Sequence, residues 1–85
     1  MFKVAWKEKA NRQLRKIRDQ RDREAVYDAA GCLADWPECR NVKLLANHEY
    51  GYRLRVGRYR ILFDVRDTVR IIEIQEVKKR DENTY

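Results

Sequence analysis

Two runs of alternating apolar and polar residues, 52–56 and 59–65, flank the dipeptide Gly57-Arg58 and most constrain how this chain can fold. Period-two alternation is typical of strands that place one face on a core. Glycine at the first position of a two-residue loop suits a type II′ turn. The sequence therefore predicts an antiparallel hairpin whose apolar face consists of three cross-strand pairs: Val56 with Tyr59, Leu54 with Ile61, and Tyr52 with Phe63.

The same register places arginines together on the other face of the hairpin. Arg55 is predicted to lie directly opposite Arg60, with Arg53 two residues further along the same strand. Like charges at directly paired positions destabilise a sheet. Guanidinium groups are well suited to planar, bidentate binding of phosphate. Two interpretations remain open here: a site that binds an anion between the arginines, or a solvated basic face whose arginines splay apart.

The charge balance favours an anionic partner. The 85 residues carry a net charge of +6, with 13 arginines and 7 lysines. Such a balance is typical of proteins that bind nucleic acid or acidic proteins. The sequence contains no run of 18 apolar residues and no apolar signal-peptide segment, so we expect a cytoplasmic protein with no membrane partner.

The cysteines and the single histidine do not predict a metal site. Cys32 and Cys39 are seven residues apart, and His48 is the only histidine. Zinc sites need more ligands at closer spacings. We expect both thiols to be reduced, with Cys32 on the core-facing side of a helix and Cys39 in a loop. The sequence predicts neither a metal nor a cofactor.

The chain as a whole predicts a single α+β domain over residues 1–85. A first strand over 2–6 precedes two amphipathic helices, the second of which Asp22 is expected to cap and Pro37 to end. Residues 38–50 are interpreted as a connection. The hairpin follows, and then a strand over 69–77 in which Val77 shares a face with Glu73 and Gln75. The expected order is βααβββ, an antiparallel-rich four-stranded sheet with an N-terminal helical hairpin packed on one face.

The residues after the last strand add to the basic face. Arg80 is expected to emerge beside the hairpin arginines, and Tyr85 is close enough in sequence to fold back over the sheet. An aromatic ring beside guanidinium groups suits single-stranded RNA, whose base stacks while its phosphate is held. The other interpretation of Tyr85 is a frayed tyrosine near the end of the sequence.

The order of elements, the segment Tyr-Arg-Leu-Arg-Val-Gly-Arg-Tyr-Arg-Ile-Leu-Phe-Asp-Val and the final Val-Lys-Lys-Arg-Asp-Glu-Asn-Thr-Tyr resemble the RelE toxins. These belong to the RelE/ParE superfamily of type II toxin–antitoxin systems. The resemblance spans the whole chain and is clearest over residues 52–65 and 77–85. It implies a metal-independent endoribonuclease (an mRNA interferase) that cuts mRNA in the ribosomal A site and stops translation. It also implies a cognate antitoxin, and a toxin–antitoxin complex that binds operator DNA through the antitoxin.

The resemblance also implies which residues form the active site. Carried over by position, these are Arg53, Arg55, Arg60, Arg80 and Tyr85. RelE proteins often have lysines where this chain has Arg53 and Arg55, and an arginine cannot act as a general base. Two other functions stay open: a ParE-like, non-catalytic toxin that binds DNA gyrase, and an inactive relative that binds RNA or antitoxin.

Overall fold

The computed structural model describes residues 1–80 and contains one mixed sheet with helices on one face. The strands are β1 (Lys3–Trp6), β2 (Val42–Leu44), β3 (Tyr52–Val56), β4 (Tyr59–Arg66) and β5 (Ile71–Lys79), and the helices are α1 (Glu8–Arg15) and α2 (Gln20–Gly31). The order across the sheet is β1-β5-β4-β3-β2. The predicted α+β fold with an N-terminal helical hairpin is confirmed, with five strands instead of four.

The hairpin register predicted from Gly57-Arg58 is confirmed. Strands β3 and β4 pair antiparallel with Leu54 opposite Ile61 and Arg55 opposite Arg60. Gly57 has a φ of 55°, a left-handed conformation that costs a glycine little. This turn fixes which side chains of the two strands face the core and which face outward.

The extra strand lies in the segment interpreted as a connection. Strand β2 pairs antiparallel with β3, with Val42 opposite Leu54 and Leu44 opposite Tyr52. It has only three residues, and Leu44 is largely exposed. Three residues are too few for alternation to identify a strand in the sequence, so the interpretation of residues 38–50 as a connection missed β2.

The last strand differs from its prediction at both ends. Strand β5 begins at Ile71, because Arg70 has a φ of 54° and the preceding Val69 is exposed. Opposite Leu62 and Phe63 on β4, the register shifts by one, since Leu62 pairs with Glu76 but Phe63 pairs with Ile74. This β-bulge reverses the alternation of β5. Val77 therefore packs in the core, and the prediction that it shares a face with Glu73 and Gln75 was wrong.

The helices cover the apolar face of the sheet. Their buried residues pack against the central strands in one core cluster, whose fully buried members include Val26, Ala30 and Leu33 from the helical region and Ile61, Phe63, Ile72 and Ile74 from the sheet. The cap of α2 is Asp19, not the predicted Asp22, and its carboxylate accepts from the backbone N–H groups of Arg21 and Asp22. The α-helix ends before Cys32. Cys32 is exposed, so the prediction that it faces the core was wrong.

The first strand completes the sheet at the edge opposite β2. Strand β1 pairs in parallel with β5, with Val4 opposite Ile72 and Trp6 opposite Ile74. The chain between these two parallel strands crosses the sheet through the helices and returns through β2, β3 and β4. Within the part of the chain that the structure describes, neither helix is long and apolar enough to cross a membrane.

Candidate functional site: an arginine pocket

Four arginine side chains meet on the outer face of the sheet, where the β3–β4 hairpin turns. They surround a pocket of about 170 Å³, which we call the arginine pocket; its lining residues are Arg53, Arg55, Gly57, Tyr59, Arg60 and Arg80. All four arginines predicted from the sequence as site residues therefore lie together. Tyr85, the fifth, lies outside the described residues.

Three parts of the sheet place the four arginines. Arg53 and Arg55 share the outer face of β3, and Arg60 is paired with Arg55 across the hairpin. Arg80 follows the last residue of β5, and its backbone N–H donates to the Arg58 carbonyl oxygen at 2.6 Å. This hydrogen bond ties the end of β5 to the hairpin turn and keeps Arg80 beside the other three.

The arginines repel one another. Burial lowers the pKa of Arg60, and the nearby charges of Arg53, Arg80 and Arg55 lower it further. An arginine nevertheless keeps its proton at any physiological pH. The charge cannot be shed by titration, so the four guanidinium groups stay positively charged where they meet.

The pocket also holds a hydrogen-bond donor that lacks an acceptor. The Nε–H of Arg53 is buried and has no partner within residues 1–80. No aspartate or glutamate of the described chain lines the pocket. Buried donors are normally satisfied, and an unsatisfied one is costly. A phosphate group offers an acceptor oxygen for this N–H and negative charge beside the arginines.

The nearest buried carboxylate on this face, that of Glu76, is already paired with other residues. Glu76 lies across Leu62 from Arg53, two strand spacings or about 10 Å away. Its carboxylate forms an ion pair with Lys9 at 3.1 Å and a hydrogen bond with Tyr50. Burial alone would raise the pKa of Glu76, but the hydrogen bond from Lys9 and the positive charges nearby hold it below its usual value. Glu76 therefore stays charged and fastens the chain around Tyr50 to the sheet.

Two residues of the pocket were not predicted from the sequence. Gly57 was interpreted as a turn residue, and Tyr59 as a member of the apolar face. Tyr59 does pack against the core, and its hydroxyl donates to Asp22 Oδ2 at 3.2 Å. Burial and this carboxylate raise the pKa of Tyr59, so the phenol keeps its proton. The signal that could have found Tyr59 is its position between the turn and Arg60.

The family model for the ParE toxin of type II toxin–antitoxin systems (parDE) matches residues 4–84. The chain belongs to this family. It is thus a toxin of the RelE/ParE superfamily, as the resemblance implied. No curated protein sequence matches the toxin.

Solved structures of RelE toxins share the fold of this toxin. The RelBE2 toxin–antitoxin complex of Mycobacterium tuberculosis is 30% identical over 93% of this chain and 98% of that chain, with a TM-score of 0.78. The RelE–RelB complex of Pyrococcus horikoshii is 21% identical over 95% of this chain and 97% of that chain, with a TM-score of 0.79. The isolated Escherichia coli RelE toxin is 18% identical over 96% of this chain and 87% of that chain, with a TM-score of 0.80. The last two similarities concern the fold alone.

Proposed function

We propose that this toxin is a metal-independent endoribonuclease that cuts mRNA in the ribosomal A site and so inhibits translation. The observation that carries the proposal is the arginine pocket, with four guanidinium groups around a space of about 170 Å³ and no carboxylate among its lining residues within 1–80. An RNA phosphodiester supplies the counter-charge. The single-stranded mRNA on the ribosome presents such a group in an accessible form.

The reaction is an attack of the ribose 2′-hydroxyl on the adjacent phosphorus. The bond between O2′ and phosphorus forms as the bond between phosphorus and O5′ breaks. The 2′-hydroxyl loses its proton and the departing O5′ gains one, which leaves a 2′,3′-cyclic phosphate and a 5′-hydroxyl. Negative charge accumulates on the phosphate oxygens in the transition state.

The pocket residues take different parts in this proposal. Arg53, Arg55 and Arg60 stabilise the charge on the phosphate oxygens, and Arg80 stabilises the leaving oxygen. Fixed donors aimed at developing charge contribute about 3–4 kcal/mol each in a dry site. Tyr85, outside the described residues, stacks on or orients the base beside the cut.

In this proposal the ribosome is needed because no described lining residue of the pocket exchanges a proton near neutral pH. Guanidinium groups do not exchange protons near neutral pH, and Tyr59 keeps its proton, so the described lining residues include no general base. Holding the 2′-hydroxyl in line with the scissile bond then has to supply much of the rate. The ribosome, which fixes the mRNA in the A site, provides that orientation.

A cognate antitoxin is the proposed protein partner. The M. tuberculosis structure similar to this chain is a toxin–antitoxin complex. The net charge of +6 favours an acidic or amphipathic antitoxin segment that lies against the toxin and neutralises the arginine pocket. In this proposal any contact with operator DNA is made by the antitoxin, and the free toxin acts in the cytoplasm.

A second function is favoured by the description of the family. The matching family model is named for ParE toxins, so a non-catalytic toxin that binds DNA gyrase is the alternative. That function does not depend on four arginines around one pocket. The two proposals therefore differ in what substitution of a pocket arginine does.

Induced expression followed by primer extension on a translated mRNA separates these functions. Cuts within ribosome-bound codons are expected for the wild type, and they disappear when translation initiation is blocked. Arg80→Ala and Tyr85→Ala are expected to lower cleavage by about 10²–10³-fold. Arg40→Ala, which removes the same charge from an exposed residue outside the pocket, serves as the matched control. Toxicity that persists in both pocket variants, with intact mRNA and gyrase co-purifying, would contradict the nuclease proposal and favour the ParE-like one.

A further inference from the structure

The two cysteines of the chain lie in contact after the end of α2. The Sγ atom of Cys39 is 3.7 Å from the backbone carbonyl oxygen of Cys32, to which the thiol donates. Both thiols are free, Cys32 is exposed and Cys39 is half-buried. The fold therefore brings the Cys39 thiol to the backbone of Cys32, seven residues earlier in the chain, and Cys32 is exposed.

The intervening chain is folded back by its own packing. Residues Cys32–Asp35 form a 3₁₀ helix. The backbone N–H groups of Glu38 and Cys39 then donate to the carbonyl oxygens of Asp35 and Pro37, respectively, both at 2.9 Å. Trp36 then packs edge-on against Tyr52 at 4.8 Å and Phe63 at 5.7 Å, measured between ring centroids. The Trp36 ring anchors the segment to the sheet, so the contact between the cysteines is a property of the fold and not of a loose loop.

We propose that Cys32 and Cys39 are a redox modification site that closes to an intramolecular disulfide when the toxin meets a disulfide oxidant of the glutathione class. This inference does not rest on the proposed nuclease function. It assigns to the cysteines a role beyond the reduced, structural one expected from the sequence.

The chemistry consists of two thiol–disulfide exchanges. The exposed Cys32 thiolate attacks glutathione disulfide, which forms a mixed disulfide and releases one glutathione thiolate. The Cys39 thiolate then attacks the Cys32 sulfur, which forms the internal disulfide and releases the second glutathione. Two protein thiols are oxidised and one glutathione disulfide is reduced to two glutathione thiols. Burial, with Asp35 and Cys32 nearby, raises the pKa of Cys39 and so lowers its thiolate fraction. In the second step the proximity of Cys39 to Cys32 offsets this disadvantage.

The disulfide would reach the arginine pocket through the backbone. The carbonyl oxygen of Asn41, two residues after Cys39, accepts from the backbone N–H of Arg55 at 3.0 Å. A covalent link between Cys32 and Cys39 restrains the chain that carries this acceptor. Opening of the hydrogen bond then becomes rarer, and the Arg55 amide exchanges its hydrogen more slowly.

Peptide mapping tests the bond directly. Both cysteines lie in one tryptic peptide, residues 24–40. After incubation of the folded toxin with glutathione disulfide and alkylation of free thiols, that peptide is expected unalkylated and about 2 Da lighter than its dithiol form. Peptides that carry glutathione on either cysteine, or two copies of the peptide linked to each other, would overturn the proposal, as would full alkylation.

Two further measurements test whether the fold promotes the bond. The equilibrium constant for ring closure is expected to be about tenfold higher in the folded toxin than in urea, since a bond that fits the native state stabilises it. A constant that is higher in urea would mean that the fold opposes the disulfide. Cys39→Ser is the matched control, and it should stop at the mixed disulfide on Cys32. Hydrogen exchange at the Arg55 amide should slow on oxidation of the wild type and stay unchanged in Cys39→Ser.

Discussion

Because Arg55 is paired directly with Arg60, we predict that repulsion within the arginine pocket lowers the stability of the folded toxin. Arg55→Glu places opposite charges on paired positions of the hairpin. A like-charged cross-strand pair destabilises, and an oppositely charged pair stabilises, each by about 0.2–1 kcal/mol, so reversing the sign contributes roughly 0.5–2 kcal/mol. For a domain of this size that raises Tm by on the order of 5 °C. The same substitution is expected to abolish phosphate binding in the pocket.

Thermal and urea unfolding measure this gain. Arg55→Gln removes the charge without reversing it and is expected to show about half of the increase in stability. Arg40→Glu changes the net charge by the same amount on an exposed residue outside the pocket, so it reports the general effect of lowering a charge of +6. The difference between Arg55→Glu and Arg40→Glu should shrink in 1 M salt, where the screening length falls to about 3 Å.

If Arg55→Glu is no more stable than the wild type, or gains only what Arg40→Glu gains, the guanidinium groups do not repel one another in the folded toxin. The lowered pKa of Arg60 would then owe nothing to its neighbours. The physical basis for an anion site would be lost with it, whatever the toxicity of the variant.

Two further substitutions test contacts outside the charge cluster. Tyr59→Phe removes the hydrogen bond to Asp22 and is expected to lower the free energy of unfolding by about 1 kcal/mol in urea titrations. Asp22→Asn keeps an acceptor oxygen and is expected to lower the free energy of unfolding by less. Because the folded-state pKa of Glu76 is lowered, its stabilising effect is present above the unfolded pKa of about 4.3 and is lost as pH falls through the folded value. Glu76→Gln should therefore destabilise at neutral pH and flatten the acid side of a Tm–pH curve; an unchanged acid limb would contradict the ion pair with Lys9.

The hairpin could be predicted because its determinants are local. Glycine at position 57 sets the turn, the turn sets the register, and the register places Arg55 opposite Arg60. The arginines of β3 and β4 follow from alternation alone. The position of Arg80 does not follow from alternation, because it depends on β5 lying beside β4 and on a hydrogen bond to the turn.

The remaining features depend on contacts between distant parts of the chain. The bulge in β5 leaves the Val77 N–H to be satisfied by Gln13 Oε1 at 2.7 Å, a contact between residues 64 apart in sequence. Alternation within β5 cannot reveal it. Strand β2 likewise exists only because β3 offers a partner edge, and Glu76 is buried only because Lys9 and Tyr50 meet it there.

The position of β5 between β1 and β4 also sets the order in which the domain can assemble. During synthesis β1 and both helices are made long before Ile71–Lys79, the strand to which β1 must pair. The apolar stripe of the helices has no complete sheet to cover until then, so the nascent chain is an open, incomplete domain over most of its length. Arg80 joins the other three arginines only after that strand is in place. A growing chain therefore carries no assembled arginine pocket until β5 has emerged and docked.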